Sequence, residues 1–311
     1  MLSVVIPVFN EESVVEKTAS VIRRVLSGAA ITCELIFVDD GSKDATWEKI
    51  TALSTSGSGV RGIHFSRNFG KEAAILAGLA AAKGSCCAVI DGDLQHPPEK
   101  LVEMYRLWEQ GYEIVEGQKI CRGEESRAHG LAARAFYSLI SRATGIDMAN
   151  ASDFKLLDRK AVDVLIHMRE RNTFFRALSS WVGFKTTSIP FSVQKREAGS
   201  SKWSTLALAR YAVNNIASFS AAPMQLVTVL GGVMLLVAVV LGTIALVQKF
   251  SGRALGGFTT VILIQLFSSS IIMIGLGIIG YFLSKIYEEV KDRPRYIVAA
   301  TCGDAPEVCE K

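Results

Sequence analysis

The sequence lacks the glycine-rich phosphate loops of the common nucleotide-binding α/β folds. No GxGxxG follows its first apolar run, and no GxxxxGK[ST] occurs anywhere. A dinucleotide fingerprint after the first strand and a P-loop are therefore excluded, and any phosphate must be held another way. Cysteine is sparse: six residues, at 33, 86, 87, 121, 302 and 309, with no CxxC spacing. That disfavours both a zinc site and a disulfide scaffold and leaves reduced thiols packed as small hydrophobes. Net charge is low, +4 over 311 residues, too weak a field for a nucleic-acid partner. Charged residues make up only 21% and hydrophobic residues 50%, which excludes a disordered chain. No signal peptide is expected, because the apolar run at 2–9 is short and Glu11 and Glu12 follow at once.

Charge is missing altogether from two stretches, 211–248 and 254–284. A helix needs about 20 apolar residues to cross a bilayer. Spans are expected at 224–247 and 260–284, joined by a short glycine-bearing linker into a hairpin. The alternative is a pair of buried soluble helices, which seldom run so long without a polar face. Lys285, Lys291, Arg293 and Arg295 follow the second stretch, whereas the linker holds only Lys249 and Arg253. The positive-inside bias then puts the flanking parts in the cytoplasm, as a multi-pass inner-membrane protein. Residues 204–222 carry Leu206, Ala209, Val213 and Ile216 at helical spacing, read as an amphipathic helix in the interface. The expected layout is a cytoplasmic domain at 1–203, the interfacial region at 204–222, the hairpin at 223–285 and a cytoplasmic tail at 286–311.

The first part alternates short apolar runs with helical patterns. Strands are read at 2–9, 32–38, 60–66 and 86–90. Helices are read from Asn10 or Glu11, at 44–54 and at 71–83. This pattern predicts an α/β fold, Rossmann-like, with a mostly parallel sheet and helices on both faces. Ligands of such sheets bind beyond the carboxyl ends of the strands. The polar motifs fall there: Asn10-Glu11, Asp39-Asp40-Gly41-Ser42, Arg67-Asn68-Phe69-Gly70-Lys71 and Asp91-Gly92-Asp93. Asp91 and Asp93, with the amide oxygen of Gln95, make an oxygen-rich candidate site for Mg²⁺ or Mn²⁺, its shell completed by substrate phosphates and water. His96 is read as a turn residue ahead of Pro97-Pro98 in preference to a ligand.

Pro7-Val8-Phe9-Asn10-Glu11, Asp39-Asp40-Gly41-Ser42 and Asp91-Gly92-Asp93-Leu94-Gln95-His96-Pro97-Pro98 resemble the family 2 glycosyltransferases, which have the GT-A fold. Within that family the chain is most similar to the polyprenyl-phosphate group, which includes dolichol-phosphate mannose synthase and the bacterial bactoprenol glucosyltransferases. The bacterial branch is carried by Arg67 to Glu72, Asp153-Phe154-Lys155-Leu156-Leu157-Asp158-Arg159, Glu170-Arg171-Asn172, Ser180-Trp181-Val182-Gly183, Ser218-Phe219-Ser220 and the two-span end.

The resemblance implies that Pro7, Phe9, Glu11, Val38 and Asp40 hold the nucleoside, and that Asp91 and Asp93 hold the metal with Gln95. It implies that Lys119 meets phosphate, that Arg196 and Lys202 close over the donor and meet the lipid phosphate, and that Asp153 orients or deprotonates the acceptor. There are departures: Phe9 replaces a tyrosine, Lys155 replaces an arginine, and the basic cluster near 127–134 is thinned to Arg127, His129 and Arg134. The implied reaction is inverting transfer from a nucleotide-sugar, UDP-glucose first, to undecaprenyl phosphate. It makes a lipid-linked sugar for the cell envelope. Mannose, galactose, GlcNAc and aminoarabinose are open alternatives, and a homotetramer is the implied assembly. Two rivals are a processive polysaccharide synthase, which would need a Gln-x-x-Arg-Trp motif that is absent, and a non-catalytic nucleotide-sugar-binding membrane protein.

Overall fold

The computed structural model describes residues 1–55, 59–119, 152–168, 174–192, 222–251 and 257–303. The chain divides into two units, Met1–Ser204 with Arg293–Lys311, and Thr205–Asp292.

The first unit is built on β1 (Leu2–Val8), α1 (Val15–Gly28), β2 (Cys33–Asp39), α2 (Thr46–Thr55), β3 (Val60–Phe65), α3 (Lys71–Ala81), β4 (Cys86–Val89) and α4 (Glu99–Glu109). It continues with β5 (Ile114–Lys119), β6 (Lys155–Asp158), α5 (Arg159–His167), α6 (Phe175–Trp181), β7 (Thr186–Phe191) and finally β8 (Val298–Cys302). The strands form one sheet in the order β7-β5-β6-β4-β1-β2-β3-β8. The expected strands β1 to β4 are present and pair in parallel, β4-β1-β2-β3. The sheet as a whole is mixed, however. β6 runs antiparallel to both β4 and β5, and β8 antiparallel to β3.

The pleat sorts the side chains. Leu2, Val4, Ile6 and Val8 join Val15, Ala19, Ile22 and Leu26 of α1 and Leu101 and Met104 of α4 in one core. The α1 members recur at helical spacing, which is why that segment is a helix with one buried stripe. Val5 points to the other face, where α3 lies. A Cβ at Gly78 would stand 2.2 Å from Val5 Cγ1, so glycine lets α3 press onto β1.

Helix α1 begins at Val15, later than the expected Asn10 or Glu11. The intervening residues are committed elsewhere. Asn10, at φ 54°, donates its N–H to Ser42 Oγ (2.8 Å) and accepts from the Lys43 N–H (2.9 Å). Glu11 N–H donates to Thr46 Oγ1 (2.9 Å). The loops after β1 and β2 are thereby one unit.

Residues 286–311, expected as a tail, hold the end of one helix and strand β8, and Arg293 onward belongs to the first unit. The second unit holds α7 (Ala222–Phe250) and α8 (Phe258–Val290), which touch one another. At about 1.5 Å per residue each exceeds the roughly 30 Å of a hydrocarbon core. Among the described residues one helix, over Phe267–Val290, is long and apolar enough to cross a membrane, and Val229–Ile244 is a shorter apolar stretch. Large apolar side chains stand exposed along both, Leu235 at 67% and Met273 at 68% among them. Apart from Ala222, the interfacial helix expected at 204–222 lies outside the described residues.

Candidate active site

The carboxyl ends of β1, β2 and β4 and the start of α3 enclose a cleft of about 380 Å³. Pro7, Phe9 and Glu11 come from β1 and its loop, Asp40 from the end of β2, Asn68 and Gly70 from the β3–α3 loop, Lys71 from the start of α3, and Asp91 and Asp93 from beyond β4.

Each loop is fixed by a bond the sequence supplies. Asp40 accepts the N–H groups of Phe69 (2.7 Å) and Gly70 (2.9 Å), which ties the β2 loop to the start of α3. Burial raises the Asp40 pKa, and those two N–H groups oppose the rise. Asp39 lies beneath, fully buried, accepting from Ser42 and bonded to His64 Nδ1 (2.7 Å). Gly41 is held at φ 69° with Arg67 backbone against it; a Cβ would lie 2.5 Å from the Arg67 carbonyl carbon. The Asp91–Asp93 turn is anchored by Thr18 Oγ1 donating to the Gly92 carbonyl (2.7 Å).

A charge cluster occupies the floor. Lys71 Nζ bridges Asp91 Oδ1 (2.6 Å) and Asp153 Oδ2 (2.8 Å). Arg176 grips Asp153 from the other side, Nε to Oδ1 at 2.6 Å and an Nη to Oδ2 at 3.0 Å, a two-pronged guanidinium–carboxylate contact. Burial works against ionisation of Asp153, but Lys71 and Arg176 outweigh it and hold the carboxyl far below the usual range. Asp91 is likewise lowered, by Lys71 against its burial. Lys71 is raised, because Asp91 and Asp153 overcome its desolvation. Glu72 accepts the Phe175 N–H (2.9 Å), and burial followed by the Asp153 charge lifts its pKa to about 7.

The structure brings Pro7, Phe9, Glu11, Asp40, Asp91 and Asp93 to one cleft and sets Asp153 against it through Lys71. Lys119 ends β5 near the cluster; desolvation and then the Arg176 charge lower its pKa. Val38 is fully buried in β2 and does not line the cleft. Gln95 contributes a backbone N–H to Asp93 Oδ1 (3.1 Å), and its side chain is not among the lining groups. His96 is buried, stacked on Phe154 at 5.0 Å, and its Nδ1 faces the Asp91 N–H at 3.4 Å. Burial lowers its pKa against the pull of Asp91. Arg196, Lys202, Arg127, His129 and Arg134 lie outside the described residues. Lys155 does not line the cleft; it is bonded to Glu116, to Ser179 Oγ (2.7 Å) and to the Arg176 carbonyl (3.3 Å), with no exposure. The sequence reading put Lys71 in a rim motif and Glu72 in the branch motif without a specific role for either, and it missed Arg176. The one available signal was charge beside apolar runs, at Arg176 within Phe174-Phe175-Arg176-Ala177-Leu178.

Residues 3–166 match the model of glycosyl transferase family 2. An uncharacterized glycosyltransferase of Bacillus subtilis, YkcC, is 39% identical over 303 residues, 97% of this chain and 94% of that protein. A prophage bactoprenol glucosyl transferase homolog of Escherichia coli is 35% identical over 96% of this chain and 98% of its own length. Among solved structures, glucosyl-3-phosphoglycerate synthase of Mycobacterium tuberculosis, crystallised with Mn²⁺, UDP and phosphoglyceric acid, is similar at 21% identity and a TM-score of 0.48, covering 70% of this chain and 76% of that one. With a family match over more than half its length and such relatives over nearly all of it, the chain belongs to glycosyl transferase family 2 and is a glycosyltransferase.

Proposed function

We propose that this glycosyltransferase moves a sugar from a nucleoside diphosphate-sugar to a polyprenyl phosphate held in a membrane. One observation carries the reading: carboxylates from β2 and β4 and the Lys71–Asp153–Arg176 cluster meet at one cleft rim. The acceptor class is supported by relatives named bactoprenol glucosyl transferase, at 33–35% identity over 96% of this chain. The finer proposal is UDP-glucose as donor, undecaprenyl phosphate as acceptor, and catalysis at the cytoplasmic face of the inner membrane. The two helices α7 and α8 serve as the hairpin that keeps the enzyme with its lipid, the interfacial stretch 204–222 lies at headgroup height, and the assembly is a tetramer.

The donor set fits a hard divalent cation. Asp91 is ionised despite burial, Asp93 lines the same cleft, and both offer oxygen. Among the described residues no cluster of three His, Cys, Asp or Glu is placed to hold a metal. The protein would supply two carboxylates, leaving the other positions to water and the diphosphate, as suits Mg²⁺ or Mn²⁺. When bound, the ion would neutralise the leaving diphosphate.

The remaining work falls to the chain. Pro7, Phe9, Glu11 and Asp40 form the nucleoside end of the cleft. Lys71 stands between the Asp91 turn and Asp153, so its ammonium faces both the leaving and the attacking phosphates. Arg176 and Lys119 add positive charge where the acceptor anion must approach, and Arg196 and Lys202 are the proposed lid. The acceptor phosphate is ionised at neutral pH and needs no base. Asp153, held far from neutral pH by its two cations, is a poor base and a good orienter. Attack in line on the anomeric carbon inverts it. The test offers the purified protein undecaprenyl phosphate with a panel of UDP- and GDP-sugars, with and without EDTA. UDP-glucose transfer abolished by EDTA and by Asp93→Asn is expected. Metal-independent transfer would remove the cation assignment, and transfer of no sugar to the lipid would remove the acceptor.

A further inference from the structure

The strand that follows the apolar helices pairs with β3, and the loop after β3 lines the candidate donor cleft. After α8 ends at Val290, residues 298–302 pair antiparallel with β3, and Ser66 N–H donates to the Ile297 carbonyl (3.0 Å). The register slips between His64 and Phe65, whose partners are Ala300 and Val298, so one residue of β8 is extra. Such a bulge re-aims the neighbouring side chains. Tyr296 here lies flat on Phe65, ring centres 5.0 Å apart at 14°. Phe65, fully buried, meets Phe69 edge-on at 5.8 Å. Arg67 covers the Phe69 ring at 4.4 Å. Phe69 is the residue whose N–H holds Asp40 at 2.7 Å. Arg295, next to Tyr296, donates to the Met168 carbonyl and pins the segment on its other side.

We propose that Tyr296 is a positioning residue for nucleotide binding. Through Phe65 and Phe69 it sets the Asn68–Gly70 turn, and that turn sets Asp40 at the nucleoside end of the cleft. Tyr296 touches no substrate. Its contribution is the shape of a turn two contacts away, made from a segment expected to lie in the tail. The proposal rests on the reading of the cleft as a nucleoside diphosphate-sugar site. Loss of the ring frees the turn to leave its binding geometry, and the expected effect is roughly two- to tenfold in donor affinity.

The full-length protein in detergent or nanodiscs is titrated with UDP in the presence of Mn²⁺, and steady-state transfer is measured against donor and acceptor separately. Tyr296→Ala is expected to weaken UDP binding and raise the donor KM together, two- to tenfold, with acceptor KM and kcat per folded enzyme unchanged. Tyr296→Phe, which keeps the stacked ring, is expected to bind UDP as the parent does. Tyr296→Leu keeps the volume without the ring; should the alanine variant not fold, it replaces it, with the same expected loss. Unchanged UDP affinity in both ring-less variants overturns the proposal. So does a fall in kcat with both KM values constant, the mark of a merely smaller folded fraction. A parent protein that binds no UDP overturns the reading of the cleft instead, which separates the two failures.

Discussion

Asp153→Asn separates an orienting carboxylate from a proton-accepting one. The side chain is 6% exposed and makes three charge-assisted contacts, at 2.8 Å to Lys71 and at 2.6 and 3.0 Å to Arg176. Asparagine keeps the shape and one oxygen, but its amide must turn N–H groups toward an ammonium or a guanidinium. A hydrogen bond to a charged group contributes ~1.5–3 kcal/mol. If one cation is displaced from the transition state by that amount, kcat falls roughly 10- to 150-fold. Lys71 is 40% and Arg176 29% exposed, so solvent screens the freed cations. The stability loss then stays near ~1–3 kcal/mol, below the figure for a fully buried pair. The cluster of Lys71, Arg176, Asp91 and Asp153 passes from balanced to one net positive charge, so two anionic substrates bind no worse. The expected outcome is a lower kcat with both KM values unchanged or reduced and, in a Glu72→Gln background that removes the titration near 7 coupled to Asp153, a ratio flat from pH 5 to 9. Steady-state transfer at five pH values measures it. A parent acidic limb that disappears in Asp153→Asn, or a kcat that survives the change, refutes the orienting role.

Three further outcomes follow from the same geometry. Glu72 has a folded pKa of about 7 against 4.5 unfolded, so its ionisation destabilises the fold. The cost is absent below 4.5, grows between the two values and is complete above 7, where it amounts to about 3 kcal/mol. Glu72→Gln keeps an acceptor for the Phe175 N–H, and its melting temperature is expected to exceed the parent's increasingly from pH 5 to 8; parallel curves would refute the assignment. Gly41→Ala forces a β-carbon onto the Arg67 backbone at φ 69°, and is expected to weaken UDP binding and lower the melting temperature, with calorimetry as the check. Lys155→Met removes a buried ammonium from Glu116 and Ser179. It is expected to destabilise by ~3 kcal/mol in denaturant unfolding with the donor and acceptor KM values unchanged, since Lys155 does not face the cleft.

The parallel half of the catalytic unit was legible because its physics is local. A parallel strand buried on both faces must be an apolar run, and whatever polar residue follows it must emerge at the carboxyl edge. Val4, Ile6 and Val8, then Leu35 to Val38, then Cys86 to Val89, announce strands on composition alone, and Glu11, Asp40 and Asp91 are carried to one rim by their ends. The start of α1 was misread for a tertiary reason. Asn10 to Glu12 look like a helix N-terminus, yet their donors and acceptors are taken by Ser42, Lys43, Ala45 and Thr46, more than thirty residues away.

The antiparallel half was not legible because its strands are defined by partners and not by their own composition. β8 is Val-Ala-Ala-Thr-Cys, which carries no strong strand signal, and it is a strand because β3 leaves an unpaired edge beside it. Lys155 and Arg176 show the same thing for function. Both are cations beside apolar residues, and the sequence marked only Lys155, as the replacement of an arginine in the Asp153-Phe154-Lys155 motif. Alternation alone would put Asp153 and Lys155, two residues apart, on the same face, so their partners decide. Asp153 precedes the strand and faces the cluster, and two residues on Lys155 enters the sheet, where Glu116 on the neighbouring β5 directly opposite neutralises it. The second cation of Asp153 then has to come from another element, and α6 delivers Arg176 with its first turn fixed by Glu72. A motif can place a charge in the chain, but the partner facing it, Glu116 for Lys155 and Asp153 for Arg176, determines what that charge does.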